Sequence, residues 1–516
     1  MHKAIVYEIF KKEKGLHNEM KSLLRGTLFL AFVLLLSKLL GFIYRMLFSR
    51  IAGEEAVGIY MTVYPTFIFF ISIVQLGLPI AITKFVAQFY ATGQQDKQAA
   101  VIKKAVRIST WSIIIFLPAL LFVSPYIATT LLHNEDALYT LLVATATVPI
   151  VIWASIYRAY LQGIDKISTS AWSTLLEQVV RIALITTLLP FTQGQPPTII
   201  AAATMVITAL AEISSLLFNY IFFAKYRPIE TTTTIPATTL FGIALPSAGS
   251  KLFGTFTWFL EPIIFLFALT KSGLTSTAAT TAYGIVSNVH IPLLLFPAFL
   301  PQALAIALVP SISSLQATKQ YKTISQQLQQ TIRLCSVIGC YATGIFFICG
   351  DVLATKLFHI DQLNWIQLLA PIFFFYYIQS PLHAVLQALN YAQVAMKNSI
   401  IGGCLKLLCL WLLAAHPSLQ IKGAIIAIGI GVVVTSFMHI ASVQSIANIE
   451  LKWRSLLIPF SVLIIAIILA SQLHTFSMQL IGVVSILTIC LLITRQIGLR
   501  DLKLLSQLFK RLTLNK

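Results

Sequence analysis

The chain has 516 residues, 58% of them hydrophobic and only 10% charged, with a formal net charge of +19. A soluble domain carries about 25% charged residues, so no water-soluble surface can be built from this composition. The basic residues gather in short segments between apolar runs, with no basic stripe interleaved with aromatics, so the positive charge reads as membrane topology and excludes nucleic acid as a partner.

In chain order, residues 1–25 form a polar, basic segment expected on the cytoplasmic side, within which Met20 opens a stretch that reads like a natural start. The first apolar run is long, carries charges and lacks a small-residue cleavage site, so no cleavable signal peptide is expected. Hydropathy and turn signals then predict about 14 transmembrane helices. Their limits are 26–48, 58–82, 105–130, 138–161, 168–190, 197–223, 239–269, 278–309, 330–350, 366–389, 397–414, 422–446, 455–473 and 478–495. Period-2 alternation is absent, which argues against a membrane β-barrel. The fold class is therefore an all-α integral membrane protein. Counting loop charges with the N-terminus inside gives about 27 basic residues inside against about 4 outside, which places both termini in the cytoplasm. Residues 496–516 carry Leu499, Leu502, Leu505, Leu508 and Leu512 on one helical face with basic residues between, a pattern suited to an interfacial helix or a solvated tail.

The two halves of the chain match each other. Ser37-Lys38-Leu39-Leu40-Gly41 in span 1 recurs as Ser250-Lys251-Leu252-Phe253-Gly254 in span 7, and Leu161-Gln162-Gly163 recurs as Leu386-Gln387-Ala388. At that second offset Arg181 falls on Lys406. Six spans per repeat is an even number, so both copies enter the membrane in the same sense, related by a pseudo-two-fold axis along the membrane normal. The expected organisation is an N-lobe over 26–223, a C-lobe over 239–446, and an appendage of two helices over 455–495.

Lys38, Arg45, Arg181, Lys251, Lys406, Glu177 and Glu261 fall within predicted spans. A charge at the bilayer centre costs about 2.5–3.5 kcal/mol on insertion scales, so such groups face a partner or a wet cavity. Glu177 and Arg181, spaced i,i+4, can neutralise each other; Lys406 and Arg45 lie nearer span ends and can snorkel. Lys38 and Lys251 have no carboxylate one turn away and share a repeat position, so they are expected to line a cavity. Cations outnumber carboxylates, which suits an anionic ligand such as a phosphate or pyrophosphate. The five cations are the candidate substrate-binding residues; Glu261 and Glu177 are candidates for ion coupling. His290, His383 and His439 read as lone packed histidines, and the six cysteines as core or lipid-facing residues without metal spacing. No Walker loop, DxD pair, HExxH or nucleophile elbow is present, so neither an enzyme nor a cofactor is expected.

Several segments carry a resemblance. RGTLFLAFVLLLSKLLGFIYRMLFSRIAGEEAVGIYMTVYP over 25–65, QLGLPIAITKFVA over 75–87, LQG followed by LLEQVVRIAL, WFLEPI in span 7 and APIFFFYYIQSPLHAVLQALN over 370–390 resemble the stage V sporulation protein B family. That family lies in the polysaccharide transporter branch of the multidrug, oligosaccharidyl-lipid and polysaccharide exporter superfamily. The resemblance implies two six-helix lobes around a central cavity with two extra helices, in the cytoplasmic membrane of a bacterium, the forespore membrane included. It also implies the flipping of a polyprenyl-diphosphate-linked sugar, a lipid II-like peptidoglycan precursor for spore cortex, with membrane lipid around it. Lipid II flippases carry Arg-x-x-Gly in the first helix; Lys38 and Gly41 match it with Lys for Arg. Their next arginine would fall on Tyr44, with Arg45 one residue later. The alternatives are a cation-coupled drug exporter, which would favour an acidic cavity, and a membrane enzyme acting on polyprenyl-phosphate sugars, which would need carboxylates at one face.

Overall fold

The computed structural model describes residues 33, 35–229, 232–360, 365–447 and 449–498, and among them the regular structure is helical throughout. Helix α1 covers 35–52, so the first part of the span expected at 26–48 lies outside the described residues, as do residues 1–25 and all but the start of the 496–516 tail. The next span is two helices. α2 (Glu54–Gln75) ends at Leu76 and Gly77, both in the left-handed region, before α3 (Leu78–Ala91) restarts with proline in its first turn. Proline has no N–H to give the preceding turn. A side chain on Gly77 would collide with the backbone of Ala244, so glycine is needed for the close approach there.

There follow α4 (Gln95–Tyr126), continued by a π turn over Ile127–Leu131, then α5 (Ala137–Gly163), α6 (Ile167–Leu188) and α7 (Pro197–Lys225). The second half runs α8 (Ala237–Lys271), α9 (Ser276–Ile285), α10 (Ile291–Leu295), α11 (Phe299–Ala317), α12 (Tyr321–Phe358), α13 (Ile366–Ala388), α14 (Ala392–Ala414) and α15 (Gln420–Ser445). α9, α10 and α11 are one bent span, jointed by a π turn and a 3₁₀ turn around Pro292 and Pro297, because each proline removes a helical donor. The chain closes with α16 (Arg454–Ser471) and α17 (Phe476–Ile493). Thirteen of these helical runs are long and apolar enough to cross a membrane. Exposed side chains such as Ile115, Phe122, Ile221, Ile481 and Ile493 give the bundle an apolar exterior, as lipid contact requires once the backbone has satisfied itself within helices.

The pseudo-symmetry is written in the backbone. Left-handed residues close the same turns in both halves: Gly93 and Lys319, His133 and His359, Asp165 and Asn390, at nearly constant spacing. In the first half α5 packs against α2, α4 and α7; in the second α13 packs against α11, α12 and α15. α16 and α17 add to α12 through Val462, Leu463, Val483 and Leu487. The halves meet mainly where α2 lies against α8 and α9. Gly58 and Gly284 stand face to face there, and a Cβ on either would strike the other helix's backbone. Lipid offers no hydrophobic drive between helices, so such small-residue contacts carry the packing.

Candidate functional site: a basic cavity between the halves

A cavity of about 620 Å³ opens between the halves, walled by α1, α2, α8 to α11, and α13 to α15. Four charged side chains line it among the described residues: Lys38, Arg45, Lys406 and Glu261. Arg45, on α1, donates to the Ser287 carbonyl at 3.1 Å and the Asn288 side-chain oxygen at 3.4 Å, both in the π turn after α9. Lys406 on α14 is paired with Glu261 on α8 at 2.6 Å. Lys38 donates to the side-chain oxygen of Gln302 on α11, across the interface between halves. Three cations face one carboxylate, so the cavity is net positive, in a low-dielectric setting where fields are strong.

The other expected site residues lie elsewhere. Lys251 is outside this cavity; it donates to Gln75 at 2.9 Å and lines a separate space of about 190 Å³ with Ser155, Arg158 and Gln162. Arg181 is buried in the first half, 2.6 Å from Glu177 and 3.7 Å from Glu212 on α7. Arg158 on α5 completes the network, 3.7 Å from Glu177 and 2.7 Å from Ser215. The ring of Tyr44 covers the Arg181 guanidinium at 5.6 Å. Two arginines and two glutamates cancel, and buried opposite charges held this closely satisfy one another. The i,i+4 pairing of Glu177 with Arg181 anticipated from spacing is thus present, within a larger set.

Sequence reasoning missed Arg158, Glu212, Gln75 and Gln302. For three of them a signal was available: carrying the Leu161-Gln162/Leu386-Gln387 match backward sets Ser155 on Ser380 and Arg158 on His383, and Pro65 and Gln75 stand to each other as Pro292 and Gln302 do. The two cross-interface bonds, Lys38 to Gln302 and Lys251 to Gln75, are therefore repeat-related. His383 and His439, read as lone residues, are neighbours with ring centroids 5.6 Å apart.

The halves are also fastened at one face of the bundle. Arg50, at the end of α1, donates to the carbonyls of Leu357 and Lys356 at 2.7 and 2.6 Å. Asn134 donates to Thr280 at 3.0 Å, and Ser276 to the His133 carbonyl at 2.6 Å. With the lysine–glutamine bonds, the interface therefore has two distinct sets of polar fasteners. The described residues hold no cluster of metal-ligating side chains.

Residues 23–316 match the family described as polysaccharide biosynthesis protein. Stage V sporulation protein B of Bacillus subtilis (strain 168) is 35% identical over 470 residues, covering 88% of this chain and 90% of that protein. The lipid II flippase MurJ of Bacillus subtilis (strain 168) is 24% identical over 443 residues, covering 79% and 80%. A solved structure of the lipid II flippase MurJ in an inward closed conformation superposes with a TM-score of 0.67 at 12% identity, covering 92% of this chain and 99% of that one.

Proposed function

The chain belongs to the polysaccharide biosynthesis protein family within the multidrug, oligosaccharidyl-lipid and polysaccharide exporter superfamily, and we propose that it flips a polyprenyl-diphosphate-linked oligosaccharide, a lipid II-like peptidoglycan precursor, across the cytoplasmic membrane by alternating access. A role in supplying spore cortex precursor and a place in the forespore membrane are part of this proposal, supported by the likeness to stage V sporulation protein B. The observation that carries the reading is the net positive cavity between two pseudo-symmetric halves.

The mechanism starts with a diphosphate head group taken into the cavity while the prenyl tail stays in lipid. Lys38, Arg45 and Lys406 present their donors to the phosphates, each charge-assisted bond contributing about 1.5–3 kcal/mol. A diphosphate drawing on Lys38 competes with Gln302 for the ammonium, so binding loosens a bond that ties the halves. Rocking of the halves then breaks one set of fasteners and forms new contacts at the other, and the head group leaves on the other side. Glu261 is the coupling group: a proton or cation on its carboxylate releases Lys406 to the substrate. Glu177, closed within its own network, has no such access to the cavity. A drug exporter taking cationic compounds would need the opposite cavity charge.

The test is head-group translocation of a polyprenyl-diphosphate sugar in proteoliposomes. Wild type moves it, and Lys38→Ala, inserted normally, loses most of that activity. A wild type that moves nothing under an imposed potential would overturn the flippase assignment.

A further inference from the structure

A second cavity, of about 430 Å³, adjoins the basic one and shares Gln302, Tyr376, Gln379 and Ser399 with it. Its volume falls in the range of about 300–1,000 Å³ usual for small-molecule sites. No Lys, Arg, Asp or Glu lines it among the described residues; its polar wall is Gln302, Gln379, Ser380, His383, Gln387, Ser399 and His439. We propose that this pocket is the sugar subsite of the cavity, holding a pyranose ring of the head group by its hydroxyls while the diphosphate lies on Lys38, Arg45 and Lys406. The inference rests on the flippase reading and deepens it.

Neutral amides, hydroxyls and imidazoles both donate and accept, which is what a ring of hydroxyl groups needs and what a phosphate does not. Tyr376 supplies an aromatic surface at the junction of the two cavities, beside Phe373 at 5.8 Å. The polar groups are held in place. The Gln387 amide donates to the His383 ring at 2.9 Å, Asn398 donates to His439 at 3.1 Å, and Gln379 donates to the Val432 carbonyl and Ser436 at 2.9 and 2.8 Å. Side chains fixed in this way lose little freedom on binding.

The repeat supplies an internal control. The equivalent space in the first half is lined by Gln75, Ser155, Arg158, Ala159 and Gln162, counterparts of Gln302, Ser380, His383, Ala384 and Gln387. There an arginine replaces the histidine, Lys251 lines the space itself, whereas Lys38, which caps Gln302 in the same way, lines only the neighbouring basic cavity, and the volume is about 190 Å³. One amide-lined niche has been filled with cations. The other stays neutral, larger and continuous with the cavity that would hold the charged part of the same ligand.

Binding of two short-prenyl ligands to the full-length protein in detergent tests this, one a bare diphosphate and one the same diphosphate bearing a hexosamine. The wild type binds the glycosylated form more tightly. His383→Phe/Gln387→Met, which keeps bulk and removes hydrogen bonds, lowers affinity for the glycosylated form by about tenfold, the scale of one or two lost hydrogen bonds, and leaves the bare diphosphate unchanged. Unchanged binding of both ligands by the variant would overturn the subsite while leaving the flippase reading intact. Failure of the wild type to bind either ligand would overturn that reading itself. Should the double variant lose both ligands equally, Gln387→Met alone decides, since that side chain is exposed; a preserved preference for the sugar counts against the pocket.

Discussion

In the first half of the bundle, Glu177 and Arg181 face each other one turn apart on α6, and Arg158 and Glu212 close the set. At the matching positions of the second half stand Gly402, Lys406 and His383. The Ser173–Ser215 hydrogen bond of the first half recurs as Asn398–Ser442 in the second, and that register sets Glu212 against His439. Both carboxylates are gone from the second half. Lys406 must reach to Glu261 on α8, and Gly402, Gly403 and Gly431 leave the wall of the cavity without side chains. One backbone pattern thus serves two ends: a closed, neutral network that fixes one half, and an open cavity wall in the other, where the remaining cation is paired with a carboxylate on a neighbouring helix.

That contrast can be broken or sharpened by substitution. The largest effect is expected for Arg181→Met, which strands Glu212, leaves Glu177 with only Arg158, and should cost about 3–5 kcal/mol, read from thermal unfolding in detergent. Lys406→Met should cost clearly less, because Glu261 stands at a cavity; equal losses would erase the distinction between the halves. Next come the two lysines of the repeat. Lys38→Ala should weaken binding of a bare prenyl diphosphate about tenfold or more by isothermal titration, as loss of a charged hydrogen bond predicts. Lys251→Ala should leave that affinity within about twofold, since Lys251 lies outside the cavity. Glu261→Gln should tighten the diphosphate a few-fold, by freeing Lys406, and abolish the response of transport to an imposed ion gradient. The smallest change is that of Gln75→Leu or Gln302→Leu, each removing one cross-interface bond from an exposed lysine, where solvent screening holds its worth to about 0.5–1.5 kcal/mol of stability.

Much of this fold was legible in the sequence because membrane spans announce themselves by length and apolarity, and the repeat by its lysines. The break after Gln75 was not, since Leu76 to Pro79 sits inside an unbroken apolar run and only its Gly-Leu-Pro signals a restart. Charges drew attention to Lys38, Arg181 and Lys406, but charge alone does not say what a residue faces. Lys38 and Lys251 match in sequence and differ in surroundings. The partners that decide this, Gln75, Gln302, Arg158 and Glu212, are set by helix packing over long sequence separations. The histidines looked isolated because α13 and α15 bring them together only in the folded bundle.

The central claim is that the net positive charge of the cavity between the halves selects the substrate. Gly403 tests it most directly, because it lines the cavity and a Cβ there meets only the Thr257 methyl at 3.4 Å. Head-group translocation in proteoliposomes should survive Gly403→Asn and fail with Gly403→Asp, two side chains of equal size that differ in charge. Equal activity of the two variants would contradict the account.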